Sequence, residues 1–135
     1  MSEKLCPCHS SLSYKECCRP YHLGELPPTA LAQMRARYSA YALGLVDYIV
    51  KTTHPSHPEC KDRPLAEWRL NIERFSKQTA FDGLKILDFS EDEAKGTVTF
   101  TAILSSNGDD LTFSEMSYFE KKGGRWLYKS GVPVR

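Results

Sequence analysis

The sequence predicts an α+β domain preceded by a short cysteine-rich segment. Three observations predict it. Apolar residues recur at helical spacing as far as Lys77, then at a spacing of two beyond Phe81. Two turn signals, Asn107-Gly108 and Gly123-Gly124, divide the second half into hairpins. Four of the five cysteines, Cys6, Cys8, Cys17 and Cys18, stand within thirteen residues near the N-terminus. Helices first and strands afterwards is the α+β order, unlike the alternation that builds a parallel sheet.

The 135 residues leave room for one compact domain and a small appendage, set at 29–135 and 1–22. Apolar side chains make up 41%, enough for a core. The formal charge of +1 lacks the broad positive field of a non-specific nucleic-acid binder. No run approaches the length of a membrane span. Met1 to Leu5 runs into Cys6 without an apolar leader, so the expected compartment is the cytoplasm.

In a reducing cytosol, clustered thiols point to metal binding rather than a disulfide frame. Cys6-x-Cys8, eight residues, then Cys17-Cys18 is spacing that lets two close pairs wrap one tetrahedral ion. Four thiolates leave no open position, so the ion expected is a structural Zn2+ coupled to local folding. Pro7 stiffens the first pair. Ser13 and Glu16 form a capping-box pattern, which predicts a short helix carrying Cys17 and Cys18 on its first turns, splayed by about 100°. His9 and His22 are the nearest competing ligands, with His22 second choice to Cys18. Zinc release by thiol oxidation would make the cluster a sensor, although nothing marks it as labile.

Pro20, Gly24, Pro27 and Pro28 read as a linker. Thr29 caps a helix whose stripe is Leu31, Met34, Tyr38, Tyr41 and Leu45, interrupted by Gly44 as a stop. A second helix fits Val46 to Thr53, and His54-Pro55-Ser56-His57-Pro58 ends it. A third fits Leu65 to Lys77, with Leu65, Trp68, Ile72 and Phe75 aligned. Leu84, Ile86 and Phe89 suggest a strand with an irregularity near Leu87-Asp88. Val98, Phe100, Ala102 and Leu104 alternate with β-branched threonines on the second strand. Leu111 to Glu120 and Arg125 to Ser130 complete four antiparallel strands. Helices inside the curve of that sheet would bury the aromatic faces.

The run Cys6-Pro7-Cys8-His9-Ser10-Ser11 and Tyr14-Lys15-Glu16-Cys17-Cys18-Arg19-Pro20 resembles the SEC-C zinc knuckle. That motif carries Gly-Ser-Gly after its second cysteine, where this chain has His9-Ser10-Ser11. Met34-Arg35-Ala36-Arg37-Tyr38-Ser39-Ala40-Tyr41, Asp47-Tyr48-Ile49, Thr53-His54-Pro55 and Tyr118-Phe119-Glu120 with Gly124-Arg125-Trp126-Leu127-Tyr128 extend the likeness. Together they resemble the YchJ-like family, from Cys6 to about Val132. Members commonly have Trp where this chain has Thr53, and many carry a second knuckle after the last strand. The resemblance implies a nuclear transport factor 2-like, or cystatin-like, cone. Such cones often enclose a pocket at the open end, and the family itself is largely without an assigned activity.

Within such a cone His54 is the acid–base candidate, because imidazole titrates near neutrality. Asp47 lies about two helical turns earlier. Glu115 would point inward if its strand face does, with Arg35 or Arg37 as a partner. The plainer roles are a helix-end charge for Asp47, a loop hydrogen bond for His54 and a structural ion pair for Glu115. Arg37, Tyr38, Tyr41, Trp68 and Trp126 are expected to line the pocket, if these aromatics do not simply fill the core. His54, His57 and Cys60 form a weak second metal pattern. Lys121, Lys122, Arg125, Lys129 and Arg135 make the last hairpin basic, a face for acidic protein or RNA if more than solvated edge lysines.

The function expected first is a binding or adaptor protein. Its knuckle would meet a protein or ribonucleoprotein partner, and the SEC-C likeness adds the ribosome to the expectation. The alternative is a small-molecule binder or acid–base enzyme, isomerase- or hydrolase-like, using the cone pocket. The sequence does not decide whether the chain is an enzyme.

Overall fold

The computed structural model describes residues 4–134. A 3-10 turn, Tyr14–Glu16, leads to helix α1 (Arg19–His22), then α2 (Ala30–Leu43), α3 (Val46–Lys51), α4 (Pro58–Lys61) and α5 (Leu65–Gln78). The strands are β1 (Ala80–Glu91), β2 (Lys95–Ser106), β3 (Asp109–Asp110), β4 (Phe113–Lys122) and β5 (Arg125–Pro133). Four long antiparallel strands lie in the order β1-β2-β4-β5, and the two-residue β3 only folds back on β2. Both predicted hairpin turns have two successive residues at positive φ, Asn107-Gly108 and Gly123-Gly124.

Register shifts between Phe81 and Gly83, between Ile86 and Asp88, and between Tyr118 and Phe119 mark irregularities that bend the sheet. The second falls at the irregularity read from Leu87-Asp88. Helix α2 packs on the sheet and α5 packs on α2 and α3, and Leu84, Val98, Phe100, Ala102, Leu104 and Phe119 form the buried inner face with Met34, Trp68 and Ile72. Helix α2 starts and stops as read. Thr29 accepts from the Ala32 amide at 3.0 Å, and Gly44 closes the helix at φ 73°. Glu91, from the end of β1, adds a carboxylate at the same N-terminus and accepts from the Ala30 amide at 2.9 Å.

Several local expectations fail. Cys17 and Cys18 do not ride the first turns of one helix. Ser13 does cap the turn by accepting from Glu16 N, but that turn ends at Cys17 and α1 starts after Cys18. The two thiols therefore sit at the joint between two short coils, where the backbone breaks direction (φ −116°, ψ −96° at Cys17). Part of the presumed linker is α1 itself, with Pro20 in its first turn. Pro58 likewise opens an unpredicted α4. On α5 only Trp68 and Ile72 of the expected stripe are buried.

Gly96, on β2, passes so close to the start of α2 that a Cβ there would lie 2.8 Å from the Ala30 Cβ. Neither backbone can yield without moving the helix. Gly96→Ala is expected to cost about 1–3 kcal/mol, read as a lowered urea midpoint with an unchanged m-value.

Candidate functional site

Two sites emerge, a sulfur cluster and a cavity, on opposite sides of α2. Cys6, Cys8, Cys17 and Cys18 bring their four sulfurs within 4.8 Å of one another. The Cys8–Cys17 and Cys17–Cys18 separations are 3.6 and 3.9 Å. Tetrahedral Zn–S bonds of about 2.3 Å imply sulfur–sulfur edges of about 3.8 Å, so the spacing fits such an ion. Burial and crowding also need a cation. The Cys8 thiol is drawn far down by hydrogen bonds from Cys18 and Cys6. The Cys18 thiol is correspondingly raised, by its bonds to Cys6 and Cys8 and by burial. For Cys6, hydrogen bonding from Cys18 lowers the value, but Cys8 and burial prevail and push it up to about 11. A dication among the four sulfurs would favour their thiolate forms.

The cluster has its own supporting shell. Ser10 Oγ lies 3.2 Å from Cys17 Sγ, and Arg35 Nη1 donates to the Cys8 carbonyl at 3.2 Å, with Cys8 Sγ 3.8 Å away. His22 is not placed as a ligand. Its Nε2 donates to the Ala36 carbonyl at 2.8 Å, which fixes the tautomer, and its Nδ1 lies 2.7 Å from Tyr14 Oη as acceptor. His9 turns away as well, its Nε2 donating to the Phe81 carbonyl at 3.0 Å and its ring edge-on to Tyr38. His9 and Ser11 adopt φ of 61° and 75°. Those are the positions where the SEC-C pattern has glycine, so the chain keeps the turn without the residue that makes it easy.

The cavity opens between α2, α4, α5 and the inner sheet face, with a volume of about 420 Å3. Trp68, Phe75, Phe81, Phe100 and Phe113 belong to the aromatic part of its apolar wall, with Met34, Ile72 and Leu104 beside them. Arg37, Tyr41, Glu59, Asn71, Glu115 and Tyr128 supply the polar wall. Arg37 is buried. Its Nη1 donates to Thr52 Oγ1 at 2.8 Å, Thr53 Oγ1 at 3.0 Å and the Ile49 carbonyl at 3.2 Å, while the guanidinium carbon stands 4.8 Å from the centre of the Tyr128 ring. Burial lowers its pKa. No ion pair among the described residues includes it. Glu115 Oε2 accepts from Ser117 at 2.6 Å and Tyr128 at 3.2 Å. Gly131 makes room for it, since a Cβ there would overlap the carboxyl group. Burial raises the phenols of Tyr41 and Tyr128, and pushes that of Tyr38 up to about 12, so all three stay neutral.

The sequence-derived candidates divide accordingly. Arg37, Tyr38, Tyr41, Trp68 and Glu115 lie on the cavity wall. Trp126 does not. It is shut away beside α2, its carbonyl accepting from Gln33 Nε2 at 2.8 Å. His54 is buried away from the cavity, donating to Glu120 at 3.0 Å and accepting from the Ser56 amide, so it braces a loop. Asp47 is exposed and paired with Arg69, not with His54 or Arg37. His54, His57 and Cys60 are not gathered into a metal-binding group among the described residues. Sequence reasoning missed Thr52 and Thr53 as the acceptors of Arg37, and Asn71 and Glu59 on the wall. Arg135 lies outside the described residues. No helix among the described residues is long and apolar enough to cross a membrane.

Comparison with known proteins gives a consistent result. The family model described as YchJ, middle NTF2-like domain, matches residues 29–131. A UPF0225 protein of Actinobacillus succinogenes is 35% identical over 127 residues, covering 92% of this chain and 79% of that relative. A SEC-C motif containing protein from Rhodopseudomonas palustris, solved in solution, is 32% identical with a TM-score of 0.82, over 99% of this chain and 100% of that one. A crystal structure of a SEC-C motif containing protein from Psychrobacter arcticus is 28% identical with a TM-score of 0.77, over 96% and 82% of the two chains.

Two measurements test this geometry. Ser11 is exposed and strained, so Ser11→Gly is expected to raise the stability of metal-loaded protein by about 1 kcal/mol, seen in thermal unfolding. His57 Nδ1 accepts from the Glu59 amide at 3.1 Å, capping α4. Burial, and then the Arg37 charge, hold its pKa below the ordinary value. The unfolded chain therefore binds a proton first, and stability falls as pH drops below about 6.5. His57→Asn keeps a capping acceptor and is expected to flatten that part of the pH–stability curve.

Proposed function

Because the chain belongs to the YchJ-like family, a SEC-C cysteine knuckle joined to an NTF2-like body, we propose that it is a small-molecule-binding protein whose knuckle holds one structural zinc ion. One observation carries the reading. A buried guanidinium without a carboxylate partner stands on the wall of a largely apolar cavity. A buried cation is costly when unpaired, and a protein that needed only a packed core would do better with an apolar side chain there. The cavity has the size and the mix of aromatic wall and few polar groups found in ligand sites.

The zinc assignment rests on the donor set. Four thiolates suit zinc, and the closed set suits a structural ion. Its contribution is to hold two short coils and the N-terminal loop against α2. The adaptor reading keeps one support of its own, the exposed leucines Leu5, Leu12 and Leu23 in and beside the knuckle. Pull-down with the intact protein and with Cys17→Ser tests it, identical partner sets counting against recruitment by the knuckle.

Freshly purified protein is expected to contain one zinc per chain by elemental analysis, and Cys17→Ser much less than one. Chelation should lower the thermal midpoint, because metal-binding free energy here is folding free energy. For the cavity, Ala102→Phe places a ring into the space that Ala102 borders. It is expected to abolish binding of small aromatic fragments in ligand-observed NMR while costing about 1–3 kcal/mol in stability. Undiminished fragment binding by this variant would refute the cavity as the site.

A further inference from the structure

The charges on the cavity wall select among ligands. Arg37 uses Nη1 for its three protein acceptors. Among the described residues its Nε and Nη2 make no hydrogen bond, and the side chain borders the cavity. Glu115 uses Oε2 for Ser117 and Tyr128, and its Oε1 accepts nothing among the described residues. The third charged group, Glu59, has its counter-charge in Arg63, whose Nε lies 2.8 Å away and whose Nη1 also pairs with Glu67. One cation and one carboxylate thus remain on the same wall, close enough to influence each other yet not in contact as an ion pair. Tyr41 and Tyr128 beside them are neutral.

We propose that this cavity takes an uncharged, largely apolar molecule whose polar end carries both a carbonyl and an N–H or O–H. The proposal rests on the small-molecule reading above and names the class. The carbonyl accepts from the free edge of Arg37, and the N–H or O–H donates to Glu115 Oε1. An anion set against Arg37 would bring a second negative charge beside Glu115. A cation set against Glu115 would meet Arg37. Either leaves a net charge in a poorly solvated space, where like charges repel strongly. A neutral donor–acceptor head leaves the balance untouched and satisfies both free groups. Trp68, Phe75, Phe81, Phe100 and Phe113 then surround the apolar body, and flat rings suit such walls.

The test uses three probes with one skeleton and three charges: 3-phenylpropanamide, 3-phenylpropanoate and 3-phenylpropylamine. Each is titrated at pH 7.5 into zinc-loaded full-length protein and followed by NMR chemical shifts of the Trp68 indole and cavity methyl groups. The amide is expected to bind about tenfold more tightly than either charged probe. In Glu115→Gln, checked for an unchanged thermal midpoint, the cavity keeps Arg37 and loses the carboxylate that has no cationic partner. Its preference should move to 3-phenylpropanoate. A charged probe that binds the native protein best overturns the proposal, as does a preference that Glu115→Gln leaves unaltered. If none of the three shifts the cavity signals at millimolar concentration, the small-molecule reading itself falls.

Discussion

Burying the Arg37 guanidinium is the constraint around which the cone is arranged. Its charge is favourable there only if the groups around it are fixed before it arrives. Helix α3 supplies them at its C-terminal end. The Thr52 and Thr53 hydroxyls donate to the Tyr48 and Ile49 carbonyls at 2.6 and 2.7 Å, which leaves their lone pairs for Arg37. Both those carbonyls and the cation benefit, because a helix C-terminus carries partial negative charge. The next residues are then pinned to β5, with Tyr128 N donating to the Thr52 carbonyl and His54 N donating to the Tyr128 carbonyl, both at 2.8 Å. Tyr128 in turn lies under the guanidinium. One side chain of α2 thereby ties α3, the loop after it and the last strand into a single wall.

That arrangement also uses Thr53, where the family resemblance places Trp before the His-Pro pair. Here the position contributes a hydroxyl that accepts from Arg37 within a buried site. A β-branched residue also suits the isolated bridge that Thr53 makes with Tyr128. The knuckle shows the same kind of local compensation. His9 and Ser11 occupy left-handed backbone that glycine would adopt without strain. His9 offsets its strain by reaching the Phe81 carbonyl and the Tyr38 ring, contacts that glycine cannot make.

Much of this was legible because it depends on short-range chemistry. Thr29 and Gly44 bound α2, Asn107-Gly108 and Gly123-Gly124 set the hairpins, and the inward row Val98, Phe100, Ala102 and Leu104 follows from alternation alone. The cysteine spacing likewise foretold one cluster, because its members are close in sequence. What sequence spacing could not supply is the placement of side chains across elements. Asp47 and His54 share a stretch of chain, yet Asp47 turns outward to Arg69 and His54 turns to Glu120 on β4. Trp126 alternates correctly along β5 but lies where α2 covers the sheet, so it fills the core and never reaches the cavity. Cys17 and Cys18 needed a break between two coils, so the turn that Ser13 caps ends at Cys17 and a second coil starts after Cys18.

The cluster and the cavity then share one support. Arg35 and the Ala36 carbonyl, on one side of α2, hold Cys8 and His22. Met34, Arg37, Tyr38 and Tyr41, on the other sides, border the cavity. The link between them is short. His9 follows Cys8 directly, donates to Phe81 and packs on Tyr38, and Tyr38 donates to the Gly83 carbonyl at 2.8 Å. Phe81 and Tyr38 are both cavity wall. Closing the sulfur cluster therefore seats the loop that braces β1 against α2, and the cavity owes part of its shape to residues outside the cone. A packed interior has few intermediate arrangements, so strain in one of these contacts is passed to the next rather than absorbed. In this chain the knuckle is a structural part of the domain that holds the cavity, joined to it through α2.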